Sequence, residues 1–250
     1  MTIDTGWLIT VFLVVIRLSG LLLLTPLTPI RQLPIHARLF FLVSLSIVLV
    51  SGLGVTIESP NKISLIFAAG SEVINGLILG LSLFAAFATF SLAGLLIDSQ
   101  MGLNSTTILN PQAKTQEPIM GHLLNLIAVL VFFASGLHRL LFKGIAFSLK
   151  QLPPGKLLLA TGLKPALTQF SQLFLLGLMM AAPIVFTLFF IDVASGIITR
   201  NMPQVSVYFI TLPIKILLGF LLIIMSLKLW MPLIERVFNS VFTAWQGVLT

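Results

Sequence analysis

Between Asp98 and Gly121 the chain reads DSQMGLNSTTILNPQAKTQEPIMG, a polar interlude in a sequence that is otherwise almost continuously apolar. It combines amides and hydroxyls with Gly102 and the helix breakers Pro111 and Pro118, so it predicts a loop rather than a span. Irregular backbone facing lipid leaves polar groups unpaired at a cost no chain sustains. A polar loop of this length therefore lies outside the bilayer, is buried in protein, or lines an aqueous path.

The residues around it make the bilayer the relevant solvent. Of 250 residues, 58% are hydrophobic and only 8% charged, whereas a soluble domain carries roughly 25% charge. Mean hydropathy is +1.12. The composition predicts an integral membrane protein. The net charge of +7, from 14 Lys+Arg against 7 Asp+Glu, reads as interfacial anchoring rather than a nucleic-acid footprint. With no cysteine, disulfides, thiolate chemistry and cysteine-based metal sites are excluded.

Six apolar runs surround the loop, at about 7–27, 39–53, 63–97, 119–142, 167–199 and 208–231. The run before it, 63–97, is too long for an ordinary span: about 35 residues of helix reach roughly 50 Å against a hydrocarbon core of about 30 Å. On it Glu72, Gly76 and Gly80 repeat every four residues and share a face. The small residues allow close helix approach, and the pattern reads as a packing seam with a satisfied carboxylate or as a route for protons or substrate. The run after the loop, 119–142, carries His122, Asn125, His138 and Arg139.

Farther out, the first run contains Arg17, and MTIDTG before it has Asp4 but no cation, so the segment is expected to be retained as a helix. Arg17 calls for a partner: a carboxylate on a neighbouring helix, or a place in a transport path. Prolines 26, 29 and 34 end this run, and the run at 39–53 is short for a span. The region from Arg139 to Lys164, turning at Pro153-Pro154-Gly155, is the most basic of the chain and marks a cytoplasmic side. Arg31, Arg38, Lys114 and Arg200 fall on the opposite side if six simple spans are imposed. That conflict argues against six simple spans.

The run at 167–199 is again overlong, with Pro183 expected to kink it. Asp192, Gly196 and Arg200 repeat every four residues, which predicts a second seam between helices or subunits. The last run carries Pro213 and Lys215, and the tail from Glu235 reads as amphipathic and interfacial. Gly80-Leu81-Ser82-Leu83 matches the bare Gly-x-Ser-x of intramembrane serine proteases, too permissive a pattern to carry an enzyme assignment. No metal-ligand spacing is present.

Taken in order, Arg17 with Pro26, Glu72-x-x-x-Gly76-x-x-x-Gly80, Ala93-Gly94 with Gln100-Met101-Gly102, Asn110-Pro111, Gly136-x-His138, Ser148 with Pro153-x-Gly155, Ala182-Pro183, and Arg200-x-x-Pro203-Gln204 with Pro213-x-Lys215 resemble the FliR family of type III export-gate proteins. The resemblance covers almost the whole chain. It implies an all-α membrane protein of long, kinked apolar helices in hairpins with non-standard topology, forming one domain over 1–250 and part of a hetero-oligomeric export gate. It also implies no enzymatic activity, no cofactor and no metal. FliP and FliQ homologues are the implied companions, with FlhB and FlhA homologues adjoining, unfolded export substrates passing through, and the bacterial inner membrane and flagellar basal body as the location. By this resemblance the loop at 98–118 plugs the closed channel, with Gly102, Asn104, Ser105, Thr106, Thr107, Ile108, Leu109, Asn110, Pro111, Gln112 and Glu117 as plug residues. Arg17, Glu72, Gly76, Gly80, Gly94, Pro183, Asp192, Gly196, Arg200, Pro213 and Lys215 are then expected to serve packing and assembly. The competing readings are a secondary transporter with Arg17, Glu72 and Asp192 as intramembrane coupling residues, and a gate subunit of a virulence type III secretion system.

Overall fold

The computed structural model describes residues 5–24, 34–55, 62–103, 118–158, 163–202 and 207–249, which are helical apart from short turns. Seven helices are described: α1 (Thr5–Leu24), α2 (Ile35–Leu53), α3 (Lys62–Met101), α4 (Ile119–Ala134), α5 (Leu137–Gln151), α6 (Leu163–Asn201) and α7 (Val207–Leu249). Such apolar segments become helices because only the helix satisfies every backbone group within one segment in the absence of water. Five helices are long and apolar enough to cross a membrane, or six if α4 and α5 are one broken span. The chain is an all-α membrane protein.

Several boundaries differ from those read in the sequence. The short run at 39–53 recruits Ile35 to Arg38 and becomes a 19-residue helix, preceded by Pro34 and closed by Gly54 at φ +63. Pro34 suits the entry because it needs no hydrogen-bond donor there. The run at 119–142 does not remain one helix: it breaks at Ser135-Gly136, where Gly136 takes φ +72, a left-handed conformation that glycine reaches without a Cβ penalty. Pro183 stays inside a continuous α6 of 39 residues. Proline removes a helical hydrogen bond, and beside it the Trp230 indole N–H donates to the Met180 carbonyl at 3.2 Å. The tail from Glu235 is no separate interfacial helix but the continuation of α7, with Val237, Phe238, Val241 and Trp245 buried.

The helices contribute to two compact units. The first comprises Met1–Ala86, Gly136–Ser171 and Phe238–Thr250. In it α1 lies against α3 so closely that a Cβ on Gly76 would collide with the Arg17 carbonyl, and one on Gly80 would come within 2.9 Å of the Leu21 carbonyl. α2 packs on α1 and α5, and Gly144 of α5 leaves room for the Trp245 ring. The second unit comprises Phe87–Ser135 and Gln172–Val237. There Gly94 of α3 meets the Gly121 backbone of α4, Gly177 of α6 approaches Thr89, and Gly219 of α7 receives the Met101 side chain.

The seams make a graded prediction. Gly76→Val forces α1 and α3 apart and is expected to cost about 1–3 kcal/mol or more, by the usual penalty of overpacking. Gly196→Ala, with nothing within 4 Å of the added carbon, is expected to be neutral or to stabilise by up to about 1 kcal/mol through helix propensity. Thermal unfolding in detergent checks the pair, and equal midpoints for both variants would refute the seam.

Candidate functional site

Arg17 is 1% exposed and Glu72 is 0% exposed. A buried charge of either kind is tolerable only when paired and hydrogen-bonded. Arg17 Nε donates to Glu72 Oε2 at 2.5 Å and Nη2 to Glu72 Oε1 at 2.9 Å, forming a bidentate pair. The remaining donors reach the end of α5. Nη1 donates to the Ser148 hydroxyl at 3.0 Å and carbonyl at 3.2 Å, and Nη2 donates to the Leu152 carbonyl at 2.9 Å. A helix C-terminus leaves carbonyls unpaired and carries partial negative charge, so the guanidinium caps α5 as well as neutralising Glu72.

Glu72 is in turn held from the other side. The Gly155 N–H donates to its Oε1 at 2.8 Å, with Gly155 at φ +92 in the turn after α5. Three residues along α3 from Glu72, Asn75 donates to the Lys156 carbonyl at 2.8 Å and accepts from the Leu158 N–H at 3.0 Å. Thus α1, α3, α5 and the 153–158 turn meet in one buried polar knot. Arg17 and Glu72 each stood out in the sequence, but Ser148, Asn75 and Gly155 as their supports did not. The available signal was the shared face of Glu72 and Asn75, three residues apart on a helix.

The ends of the central loop are fastened in the second unit. Asp98, 0% exposed, accepts the Met120 N–H on Oδ2 at 3.0 Å. It caps α4 from a neighbouring helix, because Pro118 at the N-cap position offers no side-chain hydrogen bond. The Asp98 carbonyl also accepts the Leu103 N–H at 3.1 Å as Gly102, at φ +77, ends α3. Asn125 Nδ2 donates to Ser91 Oγ at 2.7 Å, and Gly94 and Gly121 pack backbone to backbone. These contacts form a neck. Of the plug residues expected from the sequence, Gly102 belongs to it, whereas Asn104, Ser105, Thr106, Thr107, Ile108, Leu109, Asn110, Pro111, Gln112 and Glu117 lie outside the described residues. Ser91 carried no signal in the sequence, and Asp98 and Gly121 stood there only as the two ends of the polar stretch. An acid one helix end away from a proline-led helix start is the pattern that could have shown them.

Beside the neck, Gln100 Nε2 donates to Asp192 Oδ2 at 2.7 Å, and Lys215 Nζ donates to Asp192 Oδ1 at 2.7 Å and Oδ2 at 3.0 Å. The partner of Asp192 is therefore Lys215 on α7, two residues after Pro213, and not Arg200 on its own helix. Gly196 faces open space and Arg200 is exposed in the last turn of α6. Among the described residues nothing lies within 4 Å of a Cβ built on Gly196, so the seam expected there between helices is absent among them. Asp192, Lys215, Gly196, Gly102 and Tyr208 border a cavity of about 200 Å³. The protease-like serine is engaged elsewhere: Ser82 Oγ donates to Gln169 Oε1 at 2.6 Å, and Gln169 Nε2 donates back to the Ser82 carbonyl at 3.2 Å.

The pattern of the family described as bacterial export proteins, family 1, matches residues 8–241. The chain belongs to this family. The flagellar biosynthetic protein FliR of Bacillus subtilis is 29% identical over 245 residues, covering 95% of this chain and 93% of that protein. The FliR protein of Pectobacterium carotovorum is 32% identical over 180 residues, covering 72% and 69%. The Yop proteins translocation protein T of Yersinia pestis is 27% identical over 167 residues, covering 66% and 64%. The FliR resemblance read from the ordered motifs is therefore correct, and a multi-pass membrane member of this export family is the frame for the knot and the neck.

The knot predicts a specific pattern of losses. Arg17→Ala strands a buried Glu72 and is expected to cost about 3–5 kcal/mol, seen as a lower unfolding midpoint in detergent. The double variant Arg17→Met with Glu72→Met removes both charges and is expected to recover part of that loss. A double variant no more stable than Arg17→Ala would contradict the pairing.

Proposed function

We propose that this protein is a non-enzymatic structural and gating subunit of a flagellar type III export channel in the bacterial inner membrane. It assembles with FliP and FliQ homologues, adjoins FlhB and FlhA homologues at the basal body, and passes unfolded substrates. The neck carries this reading: Asp98, Gly94, Gly102, Met120 and Gly121 hold together both ends of a polar segment set in apolar helices. Pinned ends suit a stopper that is displaced and then returns, because they limit how far the segment between them can travel. Asn104 to Glu117 then occupies the closed pore, and arriving substrate displaces it.

Helix length supports the assembly half of the reading. The apolar stretches of α3, α6 and α7 run for 38, 35 and 41 residues. At 1.5 Å per residue these reach roughly 50–60 Å, about twice the hydrocarbon core. Fitting even 50 Å into 30 Å needs a tilt of roughly 50°, beyond the 0–40° that spanning helices adopt. On α6 and α7 only 28% and 17% of the most apolar window is buried within the chain. Neighbouring subunits are the cover that lipid cannot supply. The transporter reading is weaker because Arg17 and Glu72, its proposed coupling residues, already spend their hydrogen-bonding capacity on one another and on α5.

Deleting Ser105 to Gln116 tests the stopper in cells that assemble the whole gate. The expected result is ion leak across the inner membrane with assembly intact, read from a membrane-potential dye. Intact assembly without leak would overturn the plug assignment.

A further inference from the structure

We propose that the outward face of α5 is a docking ridge for anionic phospholipid headgroups. At 100° per residue, Arg139, Lys143 and Lys150 fall within about 40° of one another around the helix, and all three are exposed. The opposite face, Leu137, Leu141, Ile145 and Leu149, is buried. Exposed Phe142 and Leu140 flank the cationic stripe, and exposed Lys156 follows it in the next turn.

No Asp or Glu occurs between Leu137 and Leu158. Among the described residues Glu72 pairs with Arg17 and Asp192 with Lys215, and Arg139, Lys143 and Lys150 have no carboxylate paired with them. Cations interleaved with apolar side chains on one face are the pattern that seats a helix at a headgroup boundary, the apolar groups entering the acyl margin and the cations meeting phosphate. The ridge is also rigidly mounted. Arg17 ties the Ser148 and Leu152 carbonyls at the end of α5, so the backbone beneath the cations keeps their spacing when lipid binds. In a multi-pass membrane protein a bilayer is always at hand, which makes lipid the occupant that charge complementarity selects. The inference stands apart from the gate reading and survives its failure.

The test uses the full chain purified in neutral detergent and titrated with phosphatidylglycerol or phosphatidylcholine, with retained lipid counted by native mass spectrometry. Three surface cations predict a preference for phosphatidylglycerol on the order of 100-fold. R139Q/K143Q/K150Q is expected to abolish it, whereas R139K/K143R/K150R and the α7 control K228Q/R236Q retain it. A large excess of inorganic phosphate is expected to leave the lipid bound. Should the triple glutamine variant elute abnormally, the three single variants decide, each expected to weaken phosphatidylglycerol roughly fivefold. The proposal is overturned if the unaltered chain shows no preference, if a normally eluting triple variant keeps it, if no single variant weakens binding, or if phosphate strips the lipid and reveals a free-anion site.

Discussion

The first unit depends on one bidentate ion pair sealed from water, Arg17 with Glu72. A guanidinium and a carboxylate at zero or near-zero exposure cannot be solvated, so the surrounding backbone must do what water would have done. It does so with the C-terminal end of α5 and the turn after it, which supply Ser148, Leu152 and Gly155. The glycines at 76 and 80 are part of the same constraint. Only by letting α1 and α3 meet backbone to backbone can they bring the guanidinium within bidentate reach of the carboxylate. A pair like this adds little net stability over an apolar replacement, but it penalises every arrangement that separates its partners. It acts as a registry device for three helices and a turn.

The second unit solves a different problem with related means. There a polar segment leaves and re-enters apolar helices, and the cost falls on the backbone groups at its two ends. Asp98 serves both ends at once, ending α3 through its carbonyl and starting α4 through its carboxylate. The Gly94–Gly121 contact holds the ends together, and the Gln100–Asp192–Lys215 network ties the base of the loop to α6 and α7. In each unit, then, charge is spent on positioning helix ends, and glycine is spent on the close approach that lets the charges reach.

Much of this was legible in the sequence, for reasons that can be named. A charge in an apolar span must find a partner, so Arg17 announced a buried contact. Four-residue glycine spacing predicted a close helix approach at Gly76 and Gly80, which α1 supplies, whereas runs beyond bilayer length left steep tilt, a break and projection beyond the membrane open, and α3 and α6 are continuous. What was not legible depended on backbone groups that carry no residue-type signal. Leu152 is a partner through its carbonyl and Gly155 through its N–H, and Asp98 matters because Met120 is brought beside it. At Asp192, Gly196 and Arg200 the same four-residue spacing marks no seam between the described helices. There the acid pairs with Lys215 on α7, and among the described residues nothing lies within 4 Å of a Cβ built on the glycine. The break at Gly136 was hidden because the apolar pattern continues across it. The burial of Phe238, Val241 and Trp245 in the tail was hidden because their cover comes from distant parts of the chain.

The central claim is that this is an export-gate subunit whose long apolar helices are finished by other subunits. Native mass analysis after expression of the chain alone, and together with FliP and FliQ homologues, tests it most directly. The account predicts a poor yield of unstable protein alone and a defined hetero-oligomer on co-expression. A stable monomer or small homo-oligomer that ignores both companions would contradict it.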